Sequence, residues 1–219
     1  FALPYVQMDS APVIGSEPYS FVLTNPSGNY SYGTCVNVTG EGNVFKVLCV
    51  MSHHEFLIPL CESFLAQLTS IMTFRVLPVP IERIIQTFVS DTPVPGPGEK
   101  LLVGFGKATE VDTKYHALKP LAYDRVSMMG LPPSSDKNFE VLFGGVNFDN
   151  ILLLVNVLLL EGKLIIHSRH MERIVPTAEA LLTLLYPFTW AGVYVPLMPG
   201  GAKYLEMLNE GIPVPFVVG

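Results

Sequence analysis

Apolar and polar positions along the chain follow two different periods, and the changes from one to the other set out its organisation. Phe21-Val-Leu-Thr24, Tyr30 to Val38 and Val44 to Met51 are short runs rich in β-branched and aromatic residues. Between them lie Asn25-Pro-Ser-Gly28 and Thr39-Gly-Glu-Gly-Asn43, whose residues favour turns through side-chain capping, a preset φ or a free φ. Three strands joined by short turns predict an antiparallel meander. From Pro59 to Met72 the apolar positions Leu60, Phe64, Leu65, Leu68 and Met72 are spaced by four, one, three and four, the signature of a one-faced helix. Ile81 to Val89 repeats the pattern, with Ile81, Ile84, Ile85 and Phe88 on one side. Strands under two helices predict a small α/β module over residues 1–90.

Asp91-Thr-Pro-Val-Pro-Gly-Pro-Gly98 holds three Pro and two Gly in eight residues, so 91–99 reads as a linker between domains. Leu101-Leu-Val103 beyond it predicts a short strand. From Leu131 onward strand and helix signals alternate. Asp149 or Asn150 suits the N-cap of a helix over Ile151–Glu161, and Gly162 suits its left-handed C-terminal residue. Lys163–His167 then reads as a strand and Glu172–Tyr186 as a helix, with Pro176 near its first turn, where a missing N–H matters little. Val193–Leu197 is the next strand, Tyr204–Leu208 a short helix, and Pro215–Val218 a last strand. Strands separated by helices require crossovers and a largely parallel sheet. Residues 100–219 are therefore expected to form an open α/β layered sandwich.

The most apolar run, Ile151 to Leu160, is ten residues long and interrupted by Asn156. A spanning helix needs roughly 20 apolar residues, so the run predicts a buried core helix and no transmembrane segment. Hydrophobic residues make up 49% of the 219 and charged residues 15%, which excludes intrinsic disorder. A net charge of −6 without any Lys/Arg run argues against nucleic acid as a partner. The N-terminus has no basic or long apolar segment of the signal-peptide type, and it opens on Phe1 rather than Met, as a fragment or a processed product would. Three cysteines without CxxC spacing are expected to be reduced thiols of a cytoplasmic protein. The sequons at Asn29 and Asn37 are then chance matches.

Chemistry-bearing patterns are few. Gly104-Phe-Gly106 lacks the third glycine and the later acidic residue of a dinucleotide loop. Gly98-Glu-Lys100 precedes Leu101 where a phosphate loop needs another spacing and a Ser or Thr. His53-His54-Glu55 and His167-Ser-Arg-His170 lack metal-ligand spacing and read as polar residues at strand ends. Ser168 has no nucleophile elbow around it. Carboxylates are not paired at strand ends, and Asp149 reads as a cap. No catalytic residue, metal or cofactor is expected, and the chain is read as one that works by binding.

The run Phe148-Asp-Asn-Ile-Leu-Leu-Leu-Val-Asn-Val-Leu-Leu-Leu-Glu-Gly-Lys-Leu-Ile-Ile-His-Ser168 resembles the central segment of the DENN domain. Ala180-Leu-Leu-Thr-Leu-Leu-Tyr-Pro-Phe-Thr-Trp190, Val193-Tyr-Val-Pro-Leu-Met-Pro199 and Pro213-Val-Pro-Phe-Val-Val-Gly219 follow in that family's order. Upstream, Phe21–Gly28, Tyr32-Gly33 and Leu48–Pro59 are similar to its first segment. Glu161-Gly-Lys163 and Trp190-Ala-Gly192 depart from the family's usual Glu-Arg-Arg and Trp-Gln-His. The resemblance implies a longin-like module over 1–90, a central α/β module over 100–219, and a downstream helical segment before which this chain stops. It also implies a guanine nucleotide exchange factor for a Rab-family GTPase, cytoplasmic and peripheral to trafficking membranes through that GTPase, which would lie between the two modules. The alternative is a DENN-type scaffold that binds a GTPase or adaptor without promoting exchange. Asn147, Phe148, Asp149 and Asn150 are the expected GTPase-binding residues, and Tyr186, Pro187, Phe188 and Trp190 carry the structural family motif.

Overall fold

The computed structural model describes residues 17–25, 27–39, 45–72, 79–105, 120–125, 136–198, 206, 211 and 213–219. Strands β1 (Tyr19–Thr24), β2 (Tyr30–Thr39) and β3 (Phe45–Ser52) form the expected antiparallel meander in that order. The β1–β2 turn is held by Asn25, whose Oδ1 accepts from the amides of Ser27 at 3.0 Å and Asn29 at 2.8 Å. Gly28 takes a φ of 81°, which only a residue without Cβ adopts freely. Register pairs Phe21 with Gly33, and the phenyl ring lies across that glycine.

Helix α1 (Ile58–Met72) covers one face of the meander and buries Leu60, Phe64, Leu65 and Leu68 as its spacing requires. Met72 lies at the exposed end of the helix, so Ile71 completes the buried stripe in its place. The helical stretch Glu55–Met72 is, among the described residues, the one unbent stretch long and apolar enough to cross a membrane. Its apolar face is spent on β2 and β3, as in a core helix. Helix α2 (Ile81–Gln86) widens into a π-type turn over Thr87–Asp91. Phe88 stacks flat on Phe64, ring centroids 3.9 Å apart, and Ile84 is buried, whereas Ile85 points outward rather than joining that side.

Strands β4 (Lys100–Val103) and β5 (Leu121–Asp124) form an antiparallel pair. Val103, Phe105 and Leu121 join Leu60, Phe64 and Phe88 in one apolar cluster. The Pro/Gly segment before β4 is pinned down: Arg125 donates from Nη1 to the Pro95 carbonyl at 2.7 Å, and its backbone exchanges hydrogen bonds with Gly98 and Glu99.

Helices α3 (Asp136–Gly145) and α4 (Phe148–Leu159) follow, bent by 113° to each other. Asn147 is the N-cap of α4, accepting from the Asp149 amide at 3.4 Å, which corrects the expectation of Asp149 or Asn150. The helix therefore starts three residues earlier than its apolar run. At the other end Glu161, not Gly162, is left-handed, with φ 54°. Glu161 N–H bonds Leu158 O at 3.0 Å and Gly162 N–H bonds Val157 O at 2.8 Å, the paired bonds of a Schellman motif. Gly162 is needed one place later than expected, because a Cβ there would stand 2.8 Å from the Val157 carbonyl oxygen.

Strands β6 (Lys163–Ile165), β7 (Val193–Val195) and β8 (Phe216–Val218) form a parallel sheet in the order β6-β8-β7. The first two are shorter than the expected Lys163–His167 and Val193–Leu197. Helix α5 (Ile174–Thr183) is preceded by a 3-10 turn over Met171–Arg173. The expected helix over Tyr204–Leu208 lies largely outside the described residues. A second apolar cluster joins β1 and β2 to α3, α4, α5 and the parallel sheet through Tyr19, Val22, Tyr32, Leu142, Leu181 and Tyr194. The chain is thus a mixed α/β structure with an antiparallel sheet followed by helices and a parallel sheet.

Candidate functional site

The apolar run over α4, expected as a buried core helix, is buried on one side only. Ile151 and Leu158, seven residues apart, face the core with about 2% of their surface exposed. Phe148, Leu152, Leu153, Leu159 and Leu160 occupy the opposite arc and are exposed, Phe148 by 60% and Leu160 by 80%. A helix that spends only a third of its circumference on the core presents the rest to something else or to water. Phe143, near the end of α3 and stacked on Phe139, is a further exposed aromatic on the other side of the bend.

The expected binding residues occupy one end of that surface. Phe148 is its first apolar side chain, Asp149 and Asn150 are exposed beside it, and Asn147 is spent on capping. Asp149 also lies in the first turn, where a carboxylate meets the positive end of the helix dipole. The family-motif residues gather at the other end, about 18 Å away along a 12-residue helix. Tyr186 and Pro187, joined by a cis peptide, are exposed together with Phe188. Trp190 packs partly against the core and donates from Nε1 to the Val193 carbonyl at 3.3 Å. Phe188 and Trp190 line a groove of about 600 Å³ with Leu159, Val193, Val214 and Pro215. The two sets of residues do not touch. Leu159, on the same arc as Phe148 and Leu152, is what joins them into one surface.

A second constellation escaped the sequence. Glu55, in the turn before α1, is half-buried, Glu179, on α5, is buried, and Glu179 sits close enough to perturb Glu55. Burial pushes Glu179 up to about 7, opposed by the Tyr194 hydroxyl, which donates to its Oε1 at 2.6 Å. Burial, then the neighbouring Glu179, pushes Glu55 up to about 8, opposed by Asn138, whose Nδ2 donates to Glu55 Oε1 at 3.0 Å. Tyr30 stands edge-on to Tyr194 at 5.6 Å, and Tyr32 edge-on to Tyr30 at 6.5 Å. Among the described residues no Lys or Arg is ion-paired with either carboxyl. The network joins the meander to α3, α5 and β7. The signal available in the sequence was Glu179 itself, a charge at the centre of the apolar stripe of α5.

Residues 43–219 match the model of the DENN (AEX-3) domain. The chain is 26% identical to mouse DENN domain-containing protein 2C over 216 residues, 96% of this chain and 22% of that protein. It is 26% identical to mouse DENN domain-containing protein 2A, over 96% of this chain and 20% of that protein. The human 2A protein is also 26% identical, over 93% of this chain and 19% of its own length. The chain thus spans about a fifth of the length of these curated relatives.

Proposed function

The chain belongs to the DENN domain family, and from that premise we propose that it is part of a guanine nucleotide exchange factor for a Rab-family GTPase. In this reading residues 1–90 are the longin-like upstream module and 100–219 the central module. The observation that carries it is the exposed apolar arc of α4 with Phe148 at its N-terminal end. Exchange needs no group that makes or breaks a bond. It needs a surface that binds the nucleotide-free GTPase better than the loaded one, and by linkage weakens the nucleotide equally. A picomolar nucleotide is held by about 16 kcal/mol, so the interface must discriminate by several kcal/mol. Aromatic and aliphatic anchors in a patch of about 800 Å² per partner supply energies of that order. Phe148 and Leu152 are the anchors, flanked by Asp149 and Asn150, whose polar groups are free to meet switch-loop backbone. The protein then works in the cytoplasm at the face of trafficking membranes, held there by its GTPase.

The test is release of a fluorescent GDP analogue from a panel of Rab proteins, run with this chain and with the full-length protein. Substoichiometric full-length protein is expected to accelerate one or two Rabs, and Phe148→Ala to reduce that acceleration at least tenfold with an unchanged melting curve. Stable Rab binding without acceleration would replace exchange with the scaffold function. Full activity of the Phe148→Ala variant would remove α4 from the interface.

A further inference from the structure

Cys35 and Cys49 are register partners on adjacent antiparallel strands, so both side chains leave the same face of the meander. Leu48 and Val50, which pack toward α1, point to the other face. Directly opposed residues in such a pair have Cα atoms about 4.5–5.5 Å apart, inside the span that a disulfide bridges. The two thiols differ sharply in access: Cys35 is fully buried and Cys49 is exposed. We propose that they form a peroxide-sensitive pair, in which exposed Cys49 is oxidised first and buried Cys35 then closes a disulfide between β2 and β3. The inference is independent of the exchange reading.

The chemistry of the pair suits that order. The Cys35 thiol donates a hydrogen bond to Cys49 sulfur, which brings Cys49 down to about 7 against the opposing effect of burial. Cys49 is therefore the more acidic thiol of the pair and the one that supplies the thiolate, which is the nucleophile. Its sulfur attacks one oxygen of hydrogen peroxide, the O–O bond breaks, and hydroxide leaves, giving a sulfenic acid at Cys49. Cys35 is held strongly protonated, first by that same bond to Cys49 and then by burial. Oxidation of Cys49 removes the thiolate that accepts the bond, and with it both the largest restraint on Cys35 and the charge that adds to it, leaving burial. Cys35 then loses its proton and attacks the Cys49 sulfur. The S–O bond breaks, and the departing hydroxide takes up the proton as water. Two thiols and one peroxide give one disulfide and two waters. Tyr19, paired with Cys35 in register from β1, faces the pair and is kept protonated chiefly by burial, so it competes for no proton near neutral pH. Cys61, buried on α1 and pushed up to about 12 chiefly by burial, is the internal control.

The experiment exposes the 219-residue chain to hydrogen peroxide at pH 7, blocks remaining thiols, and maps the peptides by mass. The expected product is a Cys35–Cys49 cross-linked peptide, 2 Da lighter than the reduced pair, with Cys61 still alkylated and full reversal by a thiol reductant. A Cys35→Ser variant should stop at the sulfenic acid and label Cys49 with dimedone, and Cys49→Ser should form neither product. The proposal is overturned if wild-type Cys35 and Cys49 stay reduced while exposed methionines oxidise, or if Cys49 alkylates at pH 7 no faster than Cys61. The wild-type peptide map decides the matter even if a variant misfolds.

Discussion

Replacing Glu179 with Gln tests the buried carboxyl network directly. The native carboxyl titrates near 7 instead of its ordinary 4.5 because burial disfavours the charge. Between those two values the native state holds a proton that the unfolded chain has released, so stability falls as pH rises across that window. At roughly 1.4 kcal/mol per pH unit, the deficit reaches about 3 kcal/mol by pH 7 and then flattens. Glu55 adds its own fall, extending to about pH 8. A Gln at 179 keeps an oxygen for the Tyr194 hydroxyl and carries no titrating proton. Its extra amide donors, left without partners, return about 1 kcal/mol of that gain. The variant should therefore be more stable than the parent by about 1–3 kcal/mol at pH 8 and no more stable at pH 5. Urea midpoints of both proteins at pH 5, 6, 7 and 8, at constant m, give the comparison. Parallel stability profiles across that range would mean that Glu179 titrates as an ordinary surface carboxyl, and the burial reasoning would fail.

Four further substitutions follow from local geometry. Tyr194→Phe removes the hydroxyl that favours ionised Glu179; the loss, about 1–3 kcal/mol, should be larger at pH 8 than at pH 5 in the same urea series. Gly162→Ala places a Cβ 2.6 Å from Val157 Cγ1 and should lower stability by about 1–3 kcal/mol, whereas Glu161→Gly relieves the left-handed strain and should raise it by about 1 kcal/mol, both read by thermal melting. Gly33→Ala drives a methyl to 2.3 Å from Phe21 Cζ and should reduce the melting temperature, while Gly33→Ala with Phe21→Leu should recover part of the loss.

The meander and α1 were legible because each obeys a single period and meets its partner close by in sequence. The ends of α4 were less so. Asn147, Asp149 and Asn150 can all cap, and the choice among them is made by where α3 stops. Glu-Gly at 161–162 invites the glycine into the left-handed place, yet the glycine is required one step later by the Val157 carbonyl. Two limits were deeper. A run with one polar residue in ten, such as Ile151–Leu160 with Asn156, has too narrow a polar face to show how much of its circumference stays outside, so the exposed arc that defines the candidate surface could not be drawn from it. Glu55 stands beside two exposed histidines and reads as a polar residue at a strand end; its burial depends on α3 and α5, more than 80 residues downstream.

The position of β8 has a consequence for how the molecule is made. Strand β8 follows β6 and β7 in the sequence yet lies between them, and among the described residues it supplies every strand-to-strand hydrogen bond that they have in that sheet. Until residues 216–218 arrive, β6 and β7 are separated by a slot one strand wide, with unpaired backbone on both walls. The parallel sheet therefore cannot close until residues 216–218 have been made, by which time the meander and α1 are already complete. Such a slot is open to any extended peptide of matching pattern, so a synthetic 213–219 segment supplied in trans should complete a chain cut short before Pro213.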